Sequence, residues 1–156
     1  MSQSDKPRFV TMITDASHCP HTRATGWAVW IKHGAPAETI RESGGLTGPK
    51  DSHQAERHAL DRGVEILKER VSLDDVILVV QSDCQGALNK VGVAQLKALG
   101  ARYVKLKWVK GHQGVKDPRS AVNTWCDKEA KAQMRRLRDQ MYLDRGVEPS
   151  IYAPSA

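Results

Sequence analysis

The chain has 156 residues and a formal net charge of +6, with a pI near 9.4. That length allows one sound core, and that charge suits a polyanionic partner, nucleic acid before a membrane surface. No apolar run approaches transmembrane length, the opening MSQSDKPR is unlike a secretory leader, and three cysteines without a pairing pattern fit a reducing, cytoplasmic setting.

In chain order, Met1–Pro7 is polar and expected to fray. Arg8–Thr14 alternates, with Phe9, Thr11 and Ile13 on one side and Val10 and Met12 on the other. The pattern predicts a strand that delivers Asp15 at or near its end. The segment 18–25, HCPHTRAT, is a loop. His18, Cys19 and His21 are metal-ligand types, but their spacing matches no standard zinc site and no second ligand pair follows. Gly26–Lys32 and Glu38–Leu46 are predicted strands joined by a hairpin turn over His33–Ala37. A helix follows, capped by Asp51 or Ser52, with Gln54 three residues after Asp51. Ala59, Leu60, Gly63, Val64 and Leu67 make its apolar stripe. Glu56 precedes them by one turn, on or beside the inward face. A first-turn Glu complements the helix dipole; one turned inward needs a partner.

The stretch Ile77–Ala87, ILVVQSDCQGA, starts as a run rich in β-branched residues, the mark of a strand buried on both faces. It ends in Asp83, and Gly86 then opens a segment with helical spacing. Ligands of open α/β sheets bind at the carboxyl ends of the strands, although Asp is also a favoured helix N-cap. Asp15 closes the first strand in the same way. If the two strands are parallel neighbours, their carboxylates approach closely and repel unless protonated or bridged by metal. Ala87–Leu99 is helical and interrupted near Gly92. Tyr103–Val109 alternates as a strand with one basic face, Lys105 and Lys107. His112 follows, between Gly111 and Gly114. The last helix runs from Arg119 to about Tyr142 on a stripe of Val122, Cys126, Ala130, Met134, Leu137 and Met141. Asn123 and Asp127 lie four apart beside that stripe, and Lys128, Lys131, Arg135, Arg136 and Arg138 are expected to form a solvated basic face. Gly146–Ala156 is an irregular tail. The whole chain 1–156 is expected to be one domain with its core over about 8–140.

TDAS, the AE of SHQAERHAL, QSDCQGAL, WVKGHQG and NTWCDKEA stand in the order and spacing of a type 1 ribonuclease H, a resemblance that covers about Arg8 to Gln140. It implies an α/β, ribonuclease H-like fold: a five-stranded mixed sheet of order 3-2-1-4-5, helices on both faces, and strands 1, 4 and 5 parallel. It also implies metal ligation by Asp15, Glu56, Asp83 and Asp127, and proton transfer or product release by His112. Nucleic-acid contacts would fall at Ser17, Ser52, Gln54, Lys110 and Asn123. The substrate implied is an RNA–DNA hybrid, cut in its RNA strand, and the protein is expected to be a monomer, cytoplasmic and without a membrane partner.

The residue types agree with that chemistry. Hydrolysis of a phosphodiester needs an activated water and a stabilised leaving oxygen, and two divalent ions about 4 Å apart can clamp both. Four acids without a Cys/His cage suit Mg²⁺, or Mn²⁺ in its place, rather than zinc. The sequence departs from the family in three places. HCPHTRAT stands where the family has a glycine-rich turn. Ser52, His53 and Gln54 replace an Asn-containing segment. The span from Asp83 to Trp108 is too short for the basic helical protrusion of many bacterial members, which leaves substrate grip to Lys105, Lys107, Lys110, Lys116 and scattered cations. A DNA-directed nuclease of the junction-resolvase type and a non-catalytic hybrid-binding module are the competing expectations.

Overall fold

The computed structural model describes residues 8–109 and 118–146. In chain order the elements are β1 (Arg8–His18), β2 (Ala24–His33), β3 (Glu38–Thr47), α1 (Ser52–Arg70), β4 (Val76–Ser82), α2 (Gln85–Leu88), α3 (Val93–Ala98), β5 (Tyr103–Trp108) and α4 (Pro118–Asp144). The five strands form one sheet in the order β3-β2-β1-β4-β5. β1–β2 and β2–β3 pair antiparallel; β1–β4 and β4–β5 pair parallel. This is the mixed sheet predicted. Among the described residues no helix is long and apolar enough to cross a membrane.

The period-2 alternation of the strands sorts side chains onto two faces. Val10, Met12, Leu78, Val80 and Val104 point to the α1 side and pack with Leu60, Ile66 and Leu67 in the main core. On the opposite face, Ile13 and Ala28 meet Cys126 and Ala130 of α4. α1 starts where its cap residue dictates: Asp51 accepts the Gln54 backbone N–H at 2.8 Å, and the Gln54 side-chain oxygen accepts from Lys50 N at 2.9 Å. It stops at Val71, which turns extended while its N–H still reaches the Leu67 carbonyl.

Three local expectations change. β1 runs on to His18, because Asp15, Ser17 and His18 continue the ladder to β2 opposite Ala28, Gly26 and Thr25; their polar side chains hide a backbone pairing. On α1, Ile66 is fully buried and Val64 only partly. On α4, Arg138 is buried at 3 % exposure instead of joining a solvated basic face. The reason is the i+4 row Cys126, Ala130, Met134, Arg138 and Tyr142, all five of which are buried. Arg138 continues that row, and its charge reaches the buried Cys19 thiol of the β1–β2 loop.

α4 can approach the sheet this closely only because position 26 has no side chain. A Cβ on Gly26 would overlap the Ala130 carbonyl oxygen and the Met134 backbone nitrogen. A Cβ on Gly63 would instead press on the Met12 thioether, which can move. Gly26→Ala is therefore expected to lower stability by about 3 kcal/mol or more, beyond ordinary overpacking, and Gly63→Ala by clearly less. Thermal melts of the two variants check this; equal losses would mean that α4 is not seated on Gly26.

Candidate active site

Ile13 of β1 and Gln81 of β4 are register partners in the parallel pair. Two residues further along each chain stand Asp15 and Asp83. Alternation keeps them on the same face as Ile13 and Gln81, side by side just past the point where the β1–β4 ladder ends. Glu56 enters from the second turn of α1. Carboxylate oxygens of Asp15, Glu56 and Asp83 lie within 4.8 Å of one another. The Ala16 backbone N–H ties two of them together, donating to Asp15 Oδ1 at 2.9 Å and Glu56 Oε1 at 3.2 Å.

The three acids sit in different surroundings. Asp15 and Glu56 are each only 8 % exposed, whereas Asp83 faces solvent. The Asp83 turn is pinned by its neighbours: Trp108 Nε1 donates to the Asp83 carbonyl at 3.1 Å. Val109 N donates to the Ser82 carbonyl at 3.0 Å, and Cys84 N to Ser82 Oγ at 3.1 Å. Burial, and then the Asp83 charge, push the Asp15 carboxyl up to about 7. Burial together with the Asp15 and Asp83 charges pushes Glu56 up to about 11. Without a cation, Asp15 and Glu56 therefore share a proton near neutral pH.

The donor set fits a hard divalent cation. All three converging ligands are carboxylate oxygens. Glu56 Oε2 is buried without a hydrogen-bond partner, an orphaned acceptor that needs a proton or a cation. Hard oxygens are the ligands of Mg²⁺ and Mn²⁺.

Asp127 stands just outside the converging three. It pairs with Lys131 Nζ at 3.2 Å on α4, yet its charge contributes to raising Asp15. Asn123, one turn earlier, accepts a hydrogen bond from Gln81 Nε2 at 2.8 Å. Ser17, half-buried, lies two residues beyond Asp15 and pairs with Gly26. Ser52 and Gln54 are exposed at the start of α1, where the Gln54 amide serves the cap. His112, Lys110 and Lys116 lie outside the described residues.

The pattern in the sequence did not single out Gln81, Trp108 or His53. His53 Nδ1 is 3.7 Å from Cys84 Sγ, beside the Asp83 turn. Gly86 leaves room for the His53 ring, since a Cβ there would press into it; that glycine was the one available signal.

The raised carboxyls make stability depend on pH. The folded chain keeps protons that an unfolded chain releases near pH 4, the ordinary carboxyl range of about 3.9–4.3. This contribution is full below about pH 4 and is lost as pH rises through the Asp15 value of about 7. Melting temperature in EDTA is expected to fall between pH 5 and 8. Asp83→Asn, which removes a charge that raises both buried carboxyls, is expected to melt higher than the parent at pH 8 and to show a shallower fall. Identical pH profiles for the two proteins would refute the charge coupling.

No protein-family model and no curated protein sequence matches the chain. Solved structures do. The N-terminal RNase H domain of a Mycobacterium tuberculosis protein, fused to maltose-binding protein, aligns with a TM-score of 0.59 at 17 % identity, covering 81 % of this chain and 94 % of that one. LC11-RNase H1, solved in complex with an RNA/DNA hybrid, aligns with a TM-score of 0.59 at 18 % identity over 82 % and 98 % of the two chains. RNase H1 of the archaeon Halobacterium salinarum NRC-1 gives 0.54 at 15 % identity over 81 % and 97 %. With this sheet order and these neighbours, the chain has the ribonuclease H fold.

Proposed function

We propose that this protein is a divalent-metal-dependent endonuclease that hydrolyses the RNA strand of RNA–DNA hybrids. The observation that carries this is the convergence of Asp15 of β1, Glu56 of α1 and Asp83 of the turn after β4, where the β1–β4 ladder ends. Acids gathered at such cost in repulsion, on a ribonuclease H fold, have a use beyond stability. The neighbour solved with an RNA/DNA hybrid supports the choice of substrate.

Asp15, Glu56, Asp83 and Asp127 would hold Mg²⁺ or Mn²⁺. Bound there, two such ions would activate water and stabilise charge on the attacking and leaving oxygens. The chain's own residues do the arranging. The Ala16 N–H holds the Asp15 and Glu56 carboxylates in a fixed relation. The proton those two share must leave when the site is loaded, so loading is favoured by rising pH. Asp127 must give up part of its pairing with Lys131. Trp108 steadies Asp83 through its backbone. Lys105, exposed, and Lys107, partly buried, offer charge to the phosphates from β5. His112 is assigned proton transfer or assistance to product release.

End-labelled RNA–DNA, RNA–RNA and DNA–DNA duplexes and an all-DNA four-way junction, each incubated with Mg²⁺, test the proposal. Cleavage confined to the RNA strand of the hybrid is expected. Cutting of the junction would favour a DNA-directed nuclease, and hybrid binding without turnover a non-catalytic module. Asp83→Asn is expected to remove nearly all cleavage while keeping the fold. His112→Ala should slow turnover roughly ten- to a thousandfold, around the size of one general acid–base contribution, with little change in hybrid affinity. Few phosphate contacts predict a slope of log affinity against log salt of only about −3 to −5.

A further inference from the structure

Gln81 is the buried side chain that the site chemistry leaves unexplained. It is 1 % exposed, in a strand whose other buried positions are Val76, Leu78, Val79, Val80 and Ser82. It lies on the α4-facing side of the sheet, one step beneath Asp83. Its Nε2 donates to Asn123 Oδ1 at 2.8 Å, while its own Oε1 is buried with no hydrogen-bond partner. An unmet buried acceptor costs about 1–3 kcal/mol, so an apolar residue of the same size would suit the core better.

The direction of the bond matters. Reversing it would satisfy Oε1 but bury an NH₂ group with two unmet donors, so the observed orientation is preferred. Because Gln81 occupies the Asn123 carbonyl oxygen, the Asn123 NH₂ group is the end left to face outward. Asn123 is half-buried on α4, one turn before Asp127. In a site dominated by carboxylates, a neutral double donor is the group that can meet a phosphate oxygen without competing for cations.

We infer that Gln81 is a positioning residue: it locks the Asn123 amide with its NH₂ group toward the nucleic-acid strand that passes Asp127, where it donates to a phosphate oxygen. This rests on the nuclease proposal above, but the lock itself can be tested without activity. Gln81 touches no substrate and acts only through Asn123.

The test is a double-mutant cycle of Gln81→Leu and Asn123→Ala, with Gln81→Met as a second core-compatible variant. Asn123→Ala is expected to raise KM for a short RNA–DNA hybrid about tenfold, one hydrogen bond to a charged group, with a smaller change in kcat. Gln81→Leu should raise KM by a similar factor while melting at the parent's temperature or above, since the orphaned acceptor is gone. The double variant should match Asn123→Ala alone. Multiplicative effects, or an unchanged KM in both Gln81 variants, would overturn the lock, and a KM unaffected by Asn123→Ala would overturn the phosphate contact. In the free protein, the two Asn123 side-chain amide NMR signals should be displaced from the positions of a solvated asparagine and should move toward those positions in Gln81→Leu; unchanged signals would overturn the lock. Absence of hybrid binding by the parent protein would instead defeat the nuclease proposal, leaving the amide signals to decide whether Gln81 orients Asn123.

Discussion

The parallel pairing of β1 with β4 is the constraint on which the rest depends. Its register, from Arg8 opposite Val76 to Ile13 opposite Gln81, is fixed by apolar side chains, since a slip of one residue would turn Val10, Met12, Leu78 and Val80 out of the core. The same register carries Asp15 and Asp83 to one place. Two carboxylates 4–5 Å apart repel by about 3–4 kcal/mol at an effective dielectric near 20. Burial of the strand side chains supplies more than that, at about 1.5–3 kcal/mol for each large apolar group. The core thus holds in place a charge arrangement that would not assemble by itself.

The site is graded as well as acidic. Asp15 and Glu56 are buried and share a proton, Asp83 faces water, and Asp127 is held by a lysine. A carboxylate already in solvent needs little rearrangement to meet a hydrated cation. A buried, protonated one gains most from it, because the cation replaces both the proton and the missing solvation. Burial of Cys126 beneath the acids fits the same division. Burial and the Asp15 and Glu56 charges push its thiol up, so it stays neutral and contributes packing and a contact to the Ile13 carbonyl.

What was legible in the sequence followed from periodicity and from side-chain chemistry. The central strand, the Asp51 cap and the strand-ending acids each carry a local signal, and the sheet order followed from the family resemblance that those acids made visible. The polar extension of β1 to His18 carried none, because backbone pairing leaves no mark on side-chain pattern. Arg138 misled for the opposite reason: its charge suggested solvent, while the i+4 row of α4 buries it. Gln81 was hidden by position, a polar residue inside an apolar run whose partner, Asn123, is 42 residues away. Long-range polar pairs of this kind have no periodicity to reveal them.

The departures from the family pattern bear on how the proposed substrate would be held. Between Asp83 and the start of β5 there are only the short helices α2 and α3, of 4 and 6 residues. The one lysine within them, Lys97, lies over the Tyr103 ring at 6.0 Å to its centroid, toward the end of β5 away from the acids. The β1–β2 loop is closed on itself, with Cys19 N donating to the Ala24 carbonyl at 2.8 Å and Arg23 N to the Cys19 carbonyl at 2.7 Å, and Arg23 adopts a φ of 64°. A loop tied down in this way, with Cys19 buried against Met134, presents a fixed surface where a glycine-rich turn would present exposed backbone. Under the proposed function, recognition would fall on groups carried by packed elements beside the acids: the Asn123 amide on α4, the start of α1, and the basic side of β5. Groups held on packed elements lose little entropy when they bind, so on that proposal a chain without a basic protrusion would still orient a hybrid, at the expense of the long-range attraction that a denser cluster of cations would provide.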